Sequence, residues 1–143
     1  MRKLIILFCW IILCVFFVRC EKNLFSKYGY AEDYSMGASE KEIIKAIGIF
    51  KTENPEMDFT GKEDGYNGDT YYHASFYYTD KEKVLFTGVA GRKLLFISIC
   101  PLIPTKKDAC HRINDDMGEK ENKAVKKEFE ERIVKPLKEI LKR

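Results

Sequence analysis

Between Tyr71 and Cys100 three runs rich in aromatic and β-branched residues follow one another almost without interruption: Tyr71 to Thr79, Val84 to Ala90, and Lys93 to Cys100. Only Asp80 to Lys83 and Gly91-Arg92 separate them. Runs of this kind between short polar links read as β-strands. Glycine at the first central position of a two-residue link suits a type II′ turn, so the spacing predicts an antiparallel meander with tight connections. With Gly91-Arg92 as the turn, Ala90 pairs with Lys93, Val89 with Leu94, Thr87 with Phe96 and Phe86 with Ile97. Val84, Phe86, Leu95, Ile97 and Ile99 then share one face, and Leu85, Val89, Leu94 and Phe96 share the other. Neither face is polar, unlike the usual half-solvated antiparallel sheet, so both need a cover.

Helical patterns flank the strands. Ser39 with Glu42 is a capping box, and Ile43, Ile44, Ile47 and Phe50 follow at helical spacing until Asn54-Pro55 ends the run. Gly48 interrupts it at up to about 1 kcal/mol against alanine, and is expected to mark a close approach of another element. From Glu119 to Leu141, Val125, Phe129, Ile133, Leu137 and Ile140 form one apolar stripe, with Glu128–Arg132 and Glu131–Lys135 as i,i+4 charge pairs. Pro136 removes a hydrogen bond and clashes with the Arg132 carbonyl, which predicts a kink or short break. The expected fold class is α+β, a three-stranded antiparallel meander with an N-terminal and a C-terminal helix in the order α-β-β-β-α. The helices cover one face; a strap from Leu24 to Met36, or a partner, covers the other.

The first residues read as an address. Arg2 and Lys3 precede an unbroken apolar run from Leu4 to Val18, followed by Arg19-Cys20-Glu21-Lys22. A run of about 15 residues fits the apolar region of an export leader and falls short of the roughly 20 of a spanning helix. A cysteine directly after such a run resembles the lipid-attachment site of bacterial lipoproteins, where a signal peptidase cuts before a cysteine carrying a diacylglyceryl group. The resemblance covers residues 1–20 and gives that role to Cys20. It departs from the family's preference for leucine and then small residues before the cysteine, since Phe17, Val18 and Arg19 stand there. The alternatives are an uncleaved single-pass anchor, with Arg19 and Lys22 snorkelling to the headgroups, and an ordinary cleaved signal. All three keep the domain at or beyond a membrane, and the place expected is the cell envelope, membrane-anchored and facing out of the cytoplasm. The chain divides into a leader (1–19), a tether and strap (20–36) and a single globular domain (37–143).

Charge removes one class of partner. Of 25 basic residues three lie in the leader, which leaves 22 against 22 acidic ones. A domain without net charge gives no reason to invoke nucleic acid. Cys9 and Cys14 also lie in the leader, so Cys100 and Cys110 are the pair left to form a disulfide in an oxidising compartment. The closed loop of about 11 residues is worth about 2.5–3 kcal/mol in a chain-entropy treatment. Two unpaired thiols are the alternative. Zinc held by Cys100, Cys110, His111 and His73 lacks any CxxC or HxxxH spacing. Calcium in the acidic, glycine-rich stretch from Pro55 to Thr70 lacks the alternation of ligands and the bidentate glutamate of an EF-hand. No cofactor is expected.

His73 shares a strand face with Tyr71, Ser75 and Tyr77, and a histidine among hydroxyls is a general-base candidate. Ser75 lies about 7 Å away by strand geometry, too far for a direct hydrogen bond, and a plain structural histidine is favoured. Consecutive aromatics on one strand must point both ways, so some face away from the helices. Tyr71, Tyr77 and Phe96, together with the acidic, glycine-rich loop from Pro55 to Thr70, are the partner-binding surface expected; the alternative is that the rings pack beneath the strap and complete a second small core. The function expected is that of a small membrane-tethered exported protein with a protein partner: a binding module of inhibitor, immunity or assembly type, not an enzyme. An envelope hydrolase or transferase using His73, and an uncleaved membrane protein with a purely structural role, are the alternatives.

Overall fold

In a computed structural model, which describes residues 26–103 and 109–143, the meander belongs to a larger antiparallel sheet, with its first strand at one edge. The elements run β1 (Glu32–Ser35), α1 (Glu40–Glu53), β2 (Tyr72–Tyr78), β3 (Lys83–Ala90), β4 (Lys93–Pro101), β5 (His111–Arg112), α2 (Glu119–Phe129) and α3 (Lys135–Ile140). The class is α+β, but the sheet has five strands, ordered β1-β4-β3-β2 with β5 also paired to β4. The expected count of three was short by two because Glu32–Ser35, taken for strap, pairs with Lys93 to Phe96, and His111-Arg112 pairs with Ile99 and Ser98. Four residues with alternating exposure and two acidic side chains carry little strand signal of their own. Their strand exists because the free edge of β4 offers it hydrogen bonds.

The Gly91-Arg92 turn has φ 58° at Gly91, as a type II′ hairpin needs. Ala90–Lys93, Val89–Leu94 and Thr87–Phe96 pair as the turn dictates, but Phe86 meets Ser98 instead of Ile97. Ile97 is the extra residue of a β-bulge. It shifts the alternation by one, so Ile99 joins the helix side opposite Leu85 instead of sharing a face with Val84 and Phe86. Gly88 makes room for the displaced side chain, whose Cδ1 lies 3.4 Å from where a Cβ would stand.

The helix side holds the main core. Ile43, Ala46, Ile47 and Phe50 of α1 and Phe129, Ile133, Val134, Leu137 and Ile140 of the C-terminal helices are all buried against it. Glu42 accepts both the N–H and the hydroxyl of Ser39, at 2.8 and 2.6 Å, which starts α1 as the capping box predicts. Phe129 stacks on Phe96 with ring centroids 4.1 Å apart. Pro136 does not break the last helix. A π-helical turn at Glu130–Val134 joins α2 to α3, and the Lys135 N–H bonds the Glu130 carbonyl five residues back. The widened turn absorbs the proline one residue before its ring.

Two covers share the second face. Tyr28, Tyr30 and Ala31 pack over Tyr71, Ala90, Leu95 and Ile97. Further along, an arch formed by residues 58–65 brings Phe59 against Tyr77, with rings 6.3 Å apart, and Lys62 over Phe86 at 5.2 Å. The strap therefore does half of the work expected of it. Leu24 and Phe25 lie outside the described residues, as does the whole leader, and no helix among the described residues is long and apolar enough to cross a membrane.

Gly48 marks no close approach: nothing lies within 4 Å of the place a Cβ would take. Replacing it by alanine meets no obstacle and removes a helix-interior glycine. Gly48→Ala is expected to raise stability by up to about 1 kcal/mol, read as a higher urea midpoint at an unchanged m-value.

Candidate functional site

The three aromatics expected to form a docking surface do not make one. Phe96 has 0 % exposure, beneath Phe129. Tyr71 is 8 % exposed, with Tyr28 at 5.7 Å, and Tyr77 is half-buried beside Phe59. The rings on the second face complete a small core because the chain itself supplies their cover. Cys20 lies outside the described residues. Cys100 and Cys110 are bonded, at an S–S distance of 2.05 Å, which takes both sulfurs away from any metal.

His73 has a carboxylate partner in Asp69, four residues earlier in the chain. Its Nε2 lies 3.1 Å from Asp69 Oδ2, and the same oxygen receives the Lys27 ammonium at 2.5 Å. The Tyr28 ring stands edge-on to the imidazole at 6.1 Å. Lys27 and Tyr28 start the strap, so this cluster fastens the strap to the sheet. The Lys27 hydrogen bond, with help from His73 and the Thr70 N–H, holds the Asp69 carboxyl well below the usual carboxylate range.

The arch is built by hydrogen bonds along the outer edge of β2. Asp58 bridges to Phe76, and Gly65 exchanges two backbone bonds with His73, at 2.9 and 2.8 Å. Gly65 and Gly68 have φ of 156° and 75°, which only glycine adopts without strain. Between the two bridges, Asp64 Oδ1 accepts the Ser75 N–H at 3.0 Å, so β2 is not left as a bare edge.

Lys51 of α1 braces this arch. Its ammonium lies 2.8 Å from Asp58 and 2.6 Å from Asp64, with its side chain only 10 % exposed and set over the Phe76 ring. Two carboxylates of the acidic stretch that invited a calcium reading thus have a counter-charge from within the fold. Among the described residues no group of three or more His, Cys, Asp or Glu side chains is placed to hold a metal. Sequence reading passed over Lys51, yet a signal was there. Lys51 continues the Ile43, Ile47 row at i+4 spacing, so a cation sits on the apolar stripe of its helix and needs a counter-charge.

Between α1 and the arch lies an open cleft of about 580 Å³, lined by Gly48, Lys51, Thr52, Phe59, Thr60 and Glu63, among others. The bare backbone at Gly48 forms part of its wall, which accounts for the empty space beside that residue. Two ammonium groups, Lys51 and Lys62, face three carboxylates, Asp58, Glu63 and Asp64, so the cleft is mixed in charge with one negative charge in excess. Tyr66, the exposed tyrosine beyond the arch, donates to Glu40 at 2.8 Å and ties the far end back to α1.

Comparison of the chain with protein-family models, with curated proteins and with solved structures gave no match.

Two outcomes follow from the ion pairs. Lys51→Met keeps the apolar stem and leaves Asp58 and Asp64 without their cation. Stability should fall by about 1–3 kcal/mol in denaturant titrations, between the ranges of surface and buried pairs because Asp58 is partly solvated. Asp69, whose folded value is depressed, stabilises fully above the unfolded carboxylate value near about 4 and loses that contribution as pH falls towards the folded value. The thermal midpoint of the natural protein should therefore drop more steeply below about pH 4 than that of Asp69→Asn, measured by circular dichroism.

Proposed function

We propose that this chain is an exported protein, held in the cell envelope through Cys20 or through its leader, that acts as a binding module of inhibitor, immunity or assembly type on another protein. The observation that carries the reading is the braced cleft beside the arch. A cavity of about 580 Å³ falls within the usual size of a binding site, and Lys51 holds its wall in place before any partner arrives. The Cys100–Cys110 bond supports export, because such bonds persist outside the reducing cytosol. With the tyrosine face closed, the arch within the acidic, glycine-rich loop is the docking element that is left. The excess negative charge there suits a partner that brings a basic side chain to Glu63.

A hydrolase built on His73 has one observation in its favour, the Asp69 carboxylate at 3.1 Å. The same oxygen is taken by Lys27, and Tyr28 stands over the ring. Both contacts suit a fastening better than a proton shuttle, so binding is the stronger reading.

The test is a photo-reactive residue placed at exposed Thr60 in the full chain, in its native cell. A single defined adduct from Thr60, absent from a control at Lys123 on α2 and lost with Glu63→Lys, is expected. Adducts indifferent to Glu63→Lys, or equal from both positions, would remove the cleft as the binding element. Intact mass of the same protein reads cleavage before Cys20, lipid addition and the two-proton loss of the disulfide in one measurement.

A further inference from the structure

Leu102 and Ile103, just past the end of β4, are 41 % and 76 % exposed although both are aliphatic. The Leu102 backbone is held. The Leu102 N–H donates to the Glu82 carbonyl at 2.8 Å, and Cys100, two residues earlier, is bonded to Cys110. Adjacent aliphatic side chains held outward in this way lose the gain that burial in the core would bring. The boundary between lipid headgroups and acyl chains restores it, since the side chains leave water there while the loop backbone keeps it. We propose that Leu102 and Ile103 form a second membrane contact that sets how the domain lies on the bilayer. The inference rests on the reading that the N-terminus is held at a membrane.

The dimensions allow both contacts at once. Tyr28, near the start of the strap, packs on Tyr71 and His73, level with Gly88 and Leu95 across the sheet. Leu102 follows Leu95 by seven residues, about 23 Å along a strand. The six residues from Cys20 to Ser26 reach at most about 20 Å. A leash of that length lets the domain lie on its side, with strap and tip over the same plane. Two aliphatic side chains bind a bilayer weakly by themselves, but on a leashed domain the second contact is intramolecular and its effective concentration is high. A tip reaching instead into an apolar pocket of a partner protein is the rival that the experiment separates.

The probe is the full chain carrying Trp10→Phe and Ile103→Trp, reconstituted in phosphatidylcholine vesicles with brominated acyl chains. Trp10 is the single natural tryptophan, so the new indole reports alone. With the protein floating on the vesicles, its emission should shift to the blue and be roughly halved by bromine. Adding Leu102→Asp should abolish the quenching, and Lys123→Trp in the Trp10→Phe background should show none. Near-ultraviolet circular dichroism verifies that each variant is folded. If the protein floats while the indole at position 103 is unquenched, the membrane contact is overturned and the leash stands. Shielding of that indole in native membranes but not in pure lipid overturns it in favour of a protein pocket. Failure to float overturns the leash, and this contact with it.

Discussion

A sheet that is apolar on both faces governs the rest of this structure. Each central strand alternates large side chains to either side, and burying one face only would leave Tyr71, Leu95, Ile97 and Phe86 in water. The chain meets the demand unequally. Two helical segments close one face with interlocking aliphatic residues and the Phe96–Phe129 stack. Among the described residues the other face has no α-helix, and is closed by two short pieces, strap and arch, each of which covers one end. Irregular cover has few backbone hydrogen bonds of its own, so it is fastened by side chains.

The fastenings explain where the charges lie. Lys27 with Asp69 and His73 secures the strap, and Lys51 with Asp58 and Asp64 secures the arch. In sequence, His73 with its neighbours and the acidic stretch that holds Asp58 and Asp64 each resemble the start of a catalytic or metal-binding constellation. In three dimensions each carboxylate is already satisfied by a cation of the same chain, and a satisfied carboxylate is a poor metal ligand or base. What the fastenings leave open is the space beside them: the cleft whose wall Lys51 holds, which the proposed function uses.

The aromatic strand residues show how far pattern can go. Tyrosines on a face without helices are as consistent with a docking surface as with a second core, because alternation reports which face a side chain takes and not what lies over it. The cover came from segments with weak signals. Residues 28–31 are two tyrosines alternating with glycine and alanine, and residues 58–65 are glycine-rich and acidic. Ile97 is a similar case. No local feature announces the bulge, yet one extra residue moves Ile99 to the opposite face. The extra residue is tolerated because Gly88, on the neighbouring strand, leaves room for it.

By itself the sequence determined the features that depend on neighbours a few positions apart. These are the three central strands, the Gly91 turn, the pairing beside it, the capped start of α1 and the apolar stripe of the last helix. It also left Cys100 and Cys110 as the cysteines to be joined, and they are. Tertiary structure alone decided that Glu32–Ser35 is a strand, that the π turn before Pro136 replaces a break, that Lys51 reaches two aspartates, and that the tyrosine face is closed. The physical reason is one of range. Turn chemistry and periodicity act over three or four residues, whereas a free strand edge, a counter-charge or a covering ring is supplied by a segment whose distance along the chain says nothing of its distance in space.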